Sequence, residues 1–151
     1  KDQIFNNKDI LFFGERRHEY AKVSLNIFKD NIFFGAGPRT YRIESKNEKY
    51  KVSEFSWNTH PHNIFIQLLA ETGVTGTILV FIAFCYFFLL LVKKFFVNSR
   101  LNSISNFKVC IIIAIIINIF PMIPSGNFFN NWISIVSYYP VSIFFALNRN
   151  L

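Results

Sequence analysis

Residues 72–92 contain no charged side chain, and this run of 21 residues constrains the fold more than any other feature of the chain. As a helix it is long enough to cross a hydrocarbon layer of about 30 Å. Lys93 and Lys94 end it abruptly. The preceding residues, 59–71, continue the same helical pattern, but His62, Gln67 and Glu71 interrupt its apolar face. They are expected to form a partly wet entry to the span. Thr59 is a candidate cap, with Pro61 tolerated in the first turn. His62, Ile66, Leu69, Gly73 and Gly76 recur at three or four residues and share a face. The two glycines on that face would let a neighbouring helix approach, placing His62 at the top of a helix–helix seam.

About half of the 151 residues are hydrophobic and 20 are Phe, more than a small soluble core requires. A membrane protein is the natural class. The chain opens in polar sequence without an initiator Met. It is therefore expected to be the C-terminal portion of a longer polytopic protein. The net charge of +7 does not imply nucleic acid, because of where the charges fall. All nine acidic residues lie at or before Glu71, whereas residues 93–108 hold Lys93, Lys94, Arg100 and Lys108 without an acid. That asymmetry marks 93–108 as a cytoplasmic loop. Cys85 and Cys110 fall in predicted spans, so neither suggests a disulfide framework or a zinc site.

Taken in order, the chain begins with a polar stretch that turns apolar at 10–13 and breaks at Gly14. A helix is predicted over 15–29, with Tyr20, Val23, Ser24, Ile27 and Phe28 as its buried stripe. Arg16 and Arg17 flank that stripe about equally. Phe33-Phe34-Gly35-Ala36-Gly37-Pro38 is a breaker segment. Its glycines would permit a tight turn with exposed N–H groups, and Arg39 and Arg42 follow; such a turn beside arginines can hold phosphate oxygens. The charged stretch 45–54 reads as a solvated loop. A second span is predicted over 109–123, ended by Pro121 and Pro124, and a third over 132–147 with Pro140 as a kink. The expected topology places 1–71 outside, 72–92 across the membrane, 93–108 in the cytoplasm and 109–123 across. Residues 124–131 then form an outer turn, 132–147 a span and 148–151 a cytoplasmic tail. The fold class is an all-α membrane protein with three transmembrane helices and a helical outer loop.

Folded onto the membrane face, the outer segment would gather Arg16, Arg17, Arg39, Arg42, His60, His62 and Glu71 at the head of the long helix. Arginine binds pyrophosphate bidentately and stabilises it as a leaving group. Histidine takes a proton from an attacking hydroxyl near neutral pH. Neither task needs a metal or another cofactor. Blander roles compete. His60 and His62 supply only two metal ligands where three or four are usual. His60 also fits a helix-start residue, the arginines fit anchors for membrane lipid headgroups, and Glu71 fits a local pairing.

These residues resemble a known family. Arg17, the helix after it, the segment Asp30-Asn31-Ile32-Phe33-Phe34-Gly35-Ala36-Gly37-Pro38 and then Thr59-His60-Pro61-His62-Asn63 are similar to the C-terminal part of the O-antigen ligase and polymerase superfamily. The sharpest element is His62-Asn63, nine residues, then Gly73-Val74-Thr75-Gly76. The resemblance covers about residues 14–92 and implies a polytopic GT-C-like glycosyltransferase of the bacterial inner membrane, without a metal, in which 1–71 is a helical periplasmic loop and 124–131 a periplasmic turn. Ligases of this kind move a polysaccharide from undecaprenyl diphosphate to a sugar hydroxyl of lipid A–core or a similar acceptor. By position, Arg17 resembles the arginine that contacts the diphosphate, and His62 the essential histidine proposed to activate the acceptor. Arg16, Arg39, Arg42, His60 and Glu71 are further substrate-binding candidates. The alternatives are a Wzy-type polymerase acting on the same carrier and a non-catalytic transporter or structural subunit.

Overall fold

The structure, a computed structural model, describes residues 15–97, 103–121 and 125–148. They form five helices: α1 (Glu15–Asp30), α2 (Tyr41–Glu44), α3 (Ile64–Val97), α4 (Ser103–Asn118) and α5 (Asn131–Leu147). Among the described residues there is no strand. The predicted apolar stretch 10–13 and the break at Gly14 lie outside them.

α1 follows its sequence pattern. Val23, Ser24 and Ile27 are buried, while Tyr20 and Phe28 at the edges of the stripe are half-buried. Val23 and Ile27 pack with Tyr41, Tyr50 and Ala70 into an outer core between α1 and the first turns of α3. Asn31 ends α1, its Nδ2 donating to the Ile27 carbonyl at 3.2 Å. The stretch 45–54 is not simply solvated. Lys49 pairs with Asp30 at 2.6 Å, Ser53 Oγ donates to Glu19 at 2.8 Å, and Ser45 and Tyr50 are buried. Charges alone suggested a loop in water, but their partners sit on α1.

The apolar helices α3, α4 and α5 enclose a second core. Phe87 of α3, Ile112, Ile115 and Ile116 of α4 and Phe144 of α5 are buried together. The Phe87 and Phe144 rings meet edge to face at 5.2 Å. α3 is the one described helix long and apolar enough to cross a membrane; α4 and α5 are apolar but shorter. Their 16 and 17 residues reach roughly 24–26 Å at 1.5 Å per residue. The described residues thus supply one helix of spanning length and two shorter apolar companions. The ends also move: α3 runs on to Val97 and α4 starts at Ser103, so much of the predicted 93–108 loop is helical. α4 stops at Asn118, before Pro121, and α5 continues through Pro140. Ile78, Leu79, Phe81, Ile82, Phe88 and Leu89 on α3 are exposed. Each large apolar side chain is worth about 1.5–3 kcal/mol when withdrawn from water, so this surface requires an apolar surrounding.

α3 is broken. Gly73, at φ 65° and ψ −163°, separates two helical halves. The break leaves the last carbonyls of one half and the first N–H groups of the other without helical partners. Residues 32–37 fill it. Ala36 and Gly37 donate to the carbonyls of Ala70 and Glu71, both at 2.9 Å, while Val74 and Thr75 donate to the carbonyls of Ile32 and Phe33 at 2.8 and 3.2 Å. Backbone meets backbone so closely that a Cβ on Gly35 would lie 2.3 Å from the Glu71 carbonyl carbon. A Cβ on Gly73 would lie 2.5 Å from Phe33. The expected helix–helix seam on the Gly73 face is therefore replaced by a loop–helix junction. The expected phosphate-holding turn is not formed either, since Gly35, Ala36 and Gly37 all use their N–H groups within the protein.

Candidate functional site

The segment 57–63 leads into α3 and is held by hydrogen bonds to chain on either side of it. Helix α3 starts at Ile64, and its cap is Asn63 rather than Thr59: Asn63 Oδ1 accepts the Ile66 N–H at 3.1 Å. Asn63 Nδ2 donates to the Pro121 carbonyl at 2.6 Å, joining the head of α3 to the end of α4. The Ser125 N–H donates to the His62 carbonyl at 3.0 Å, pinning the 125–131 turn to the same segment.

His62 precedes the helix and adopts φ 59°, a left-handed conformation uncommon for a residue with a side chain. Asn58 determines the state of its ring. Asn58 Oδ1 accepts the Thr59 N–H at 2.7 Å, which turns Nδ2 towards His62 Nε2 at 3.1 Å. Nε2 is then an acceptor, so the imidazole is neutral and carries its proton on Nδ1. Burial, and after it the positive charge of Arg17, holds His62 below its ordinary pKa. Burial and then His62 do the same for His60, whose ring centroid lies 4.2 Å away. Both causes favour the neutral, proton-accepting form.

Arg17 of α1 and His62 line one shallow cleft with Ala21, Pro61, Asn63 and Ile66. Arg16 is not part of it, so the fold makes the choice that a helical wheel left open. Arg39 and Arg42 lie elsewhere. With Thr59, His60, Gly126, Asn127, Asn130 and Ile133 they line a polar cavity of about 320 Å³. The two sites share the His60-Pro61-His62 segment as a common wall. A larger cavity of about 550 Å³ between α3, α4 and α5 is apolar apart from groups such as Asn118 and Ser137, and neither histidine borders it.

Glu71 reaches neither the cleft nor the polar cavity. It is 1% exposed, as is Gln67, so these two do not make the partly wet entry expected of them. Glu71 Oε1 accepts the Tyr41 N–H at 2.8 Å, and Oε2 accepts Gln67 Nε2 at 2.8 Å. Gln67 also donates to Asn127 Oδ1 at 2.8 Å and accepts the Phe128 N–H at 3.0 Å. Asn63, Gln67 and Glu71 therefore form a buried polar ladder at four-residue spacing. It ties α3 to the turn carrying Arg39 and to the 125–131 turn. Sequence reading took Gln67 and Glu71 as interruptions of an apolar face and missed the ladder. The common spacing of the three residues was the available signal.

Residues 13–81 match the family model described as O-antigen ligase. No curated protein and no solved structure matches the chain.

Proposed function

We propose, for a chain that belongs to the O-antigen ligase and polymerase superfamily, a ligase-type transfer of a lipid-linked glycan to a sugar hydroxyl. The observation that carries this reading is the convergence of Arg17 and a neutral His62 in one cleft at the head of an apolar helix. The acceptor hydroxyl replaces the Asn58 amide at His62 Nε2 and gives up its proton there. Its oxygen forms a bond to the anomeric carbon of the donor. The bond from that carbon to the diphosphate oxygen breaks, and the electron pair leaves with the diphosphate, whose charge Arg17 holds in a bidentate grip. A direct displacement of this kind inverts the anomeric centre.

The donor in this reading is a polysaccharide on undecaprenyl diphosphate, and the acceptor is lipid A–core or a similar glycan. The cleft faces the periplasm, with α3 crossing the inner membrane. The placement of Arg17 against His62 supports the division of roles, and the lowered pKa of His62 supports its use as a base near neutral pH.

The test is the glycolipid profile of cells whose native gene carries His62→Ala. Long polymer retained on the undecaprenyl carrier is the expected result. Lipid A–core bearing single repeat units would instead assign a polymerase. An unchanged profile at normal expression would remove His62 from the chemistry.

A further inference from the structure

We propose that the polar cavity bounded by Arg39, Arg42 and His60 is a subsite for a negatively charged sugar unit, beside the cleft of Arg17 and His62. The inference rests on the glycan-transfer reading and adds a substrate preference to it. The lining is what points to an anionic sugar. Asn127 Oδ1 is already occupied by Gln67 Nε2 at 2.8 Å and by the Phe129 N–H at 2.9 Å. Asn130 Oδ1 is occupied by the Trp132 N–H at 3.0 Å, as the cap of α5. The Asn127 amide therefore retains only donors for the cavity, and the Asn130 amide retains its two donors and one acceptor lone pair. Arg39 and Arg42 add two guanidinium groups, which carry donors only. Among the described residues no acidic side chain borders the cavity and no carboxylate forms an ion pair with either arginine; the buried Glu71 carboxylate acts on Arg39 from outside the lining. Two guanidinium groups and amide donors, with the neutral His60 ring beside them, fit sugar hydroxyl groups together with a carboxylate or phosphate.

The fold also holds this arrangement at a cost. Arg39 sits at φ 65°, a left-handed conformation for a residue with a side chain. The turn carrying it is secured from behind by the buried Glu71 carboxylate, which accepts the Tyr41 N–H. A volume of about 320 Å³ lies at the small end of ligand-sized clefts. Such a space suits a sugar unit better than a bare anion. Because His60 and His62 stand in ring contact, a unit in the cavity adjoins the reacting hydroxyl or the transferred glycan, not a remote surface.

The test uses the full protein in detergent, with trigalacturonate and its carboxyl-reduced counterpart as probes of binding. The native protein should bind the acidic trisaccharide at least about tenfold more tightly. In the double variant Arg39→Gln/Arg42→Gln that ratio should collapse towards one, and Arg42→Lys should retain part of it. In a transfer assay, acidic trisaccharide competing with the donor places the anionic unit on the transferred glycan. Competition with the acceptor places it there instead. Equal binding of the two probes by the native protein would overturn the proposal. So would a ratio unchanged in the double variant, or a double variant that loses only its attachment to anionic lipid vesicles, which would mark a headgroup site. Binding that follows the arginines in a protein without transfer activity would preserve the subsite and refute the proposed reaction.

Discussion

Replacing Gly73 by Ala tests the junction on which both candidate sites depend. At φ 65° and ψ −163° the residue occupies a region open essentially to glycine, and an L side chain there costs about 1–3 kcal/mol. The added Cβ would also lie 2.5 Å from the carbonyl carbon and oxygen of Phe33 and 2.6 Å from the Gly35 nitrogen. These are backbone atoms that cannot rotate away, so the 32–37 loop must withdraw. Four backbone hydrogen bonds cross the break, and each contributes about 1 kcal/mol. The total is about 5–7 kcal/mol, comparable with the whole stability of many domains. Gly76→Ala is the control. Its Cβ would lie 2.3 Å from Thr72 Oγ1 and 2.5 Å from Thr72 Cβ, so a local shift of Thr72 offsets the roughly 1 kcal/mol of helix propensity that alanine gains over glycine, but no second segment is displaced. Thermal unfolding in detergent, followed by tryptophan fluorescence, should rank Gly73→Ala far below Gly76→Ala. Gly35→Ala should match Gly73→Ala, and the two should not add, because each opens the same junction. A Gly73→Ala protein as stable as Gly76→Ala would refute the loop-filled break.

If His62 is the base of the proposed transfer, the acid limb of kcat/KM should lie below the ordinary histidine range, because a base acts deprotonated and the His62 pKa is lowered. Arg17→Gln should move that limb to higher pH, since it removes the positive neighbour; burial is the larger cause and remains, so the shift stops short of the ordinary value. Arg17→Lys keeps the charge but loses the planar fork, and a fall in kcat/KM of about tenfold or more in the same assay is expected. Asn63→Ala should cost about 2 kcal/mol in thermal unfolding, through loss of the cap and of the bond to the Pro121 carbonyl. Asn63→Asp should recover the cap and not the Pro121 bond.

Local pattern made much of this architecture legible. The buried stripe of α1 and the uncharged run of α3 are read directly, because helical period and medium act on neighbouring residues and need no distant partner. The motif joining His62-Asn63 to Gly73 was visible too, as was the pairing of basic groups with histidines. What those glycines do was not visible. Gly73 and Gly76 look equivalent as small residues on a helix face, yet one breaks the helix and the other remains within it. The difference comes from residues 32–37, which are remote in sequence and supply the hydrogen bonds that make a break tolerable.

The same reason separates the basic residues into two groups. By itself the sequence determined that α3 seeks an apolar medium and that arginines and histidines accumulate at its head. Only the tertiary structure decided that Arg17, not Arg16, meets His62, and that Arg39 and Arg42 open onto a different cavity with His60. It also decided that Glu71 holds a turn in place and borders neither the cleft nor the polar cavity. Periodicity specifies which face of a helix is buried; what that face meets depends on chain closure between segments whose spacing carries no local signal.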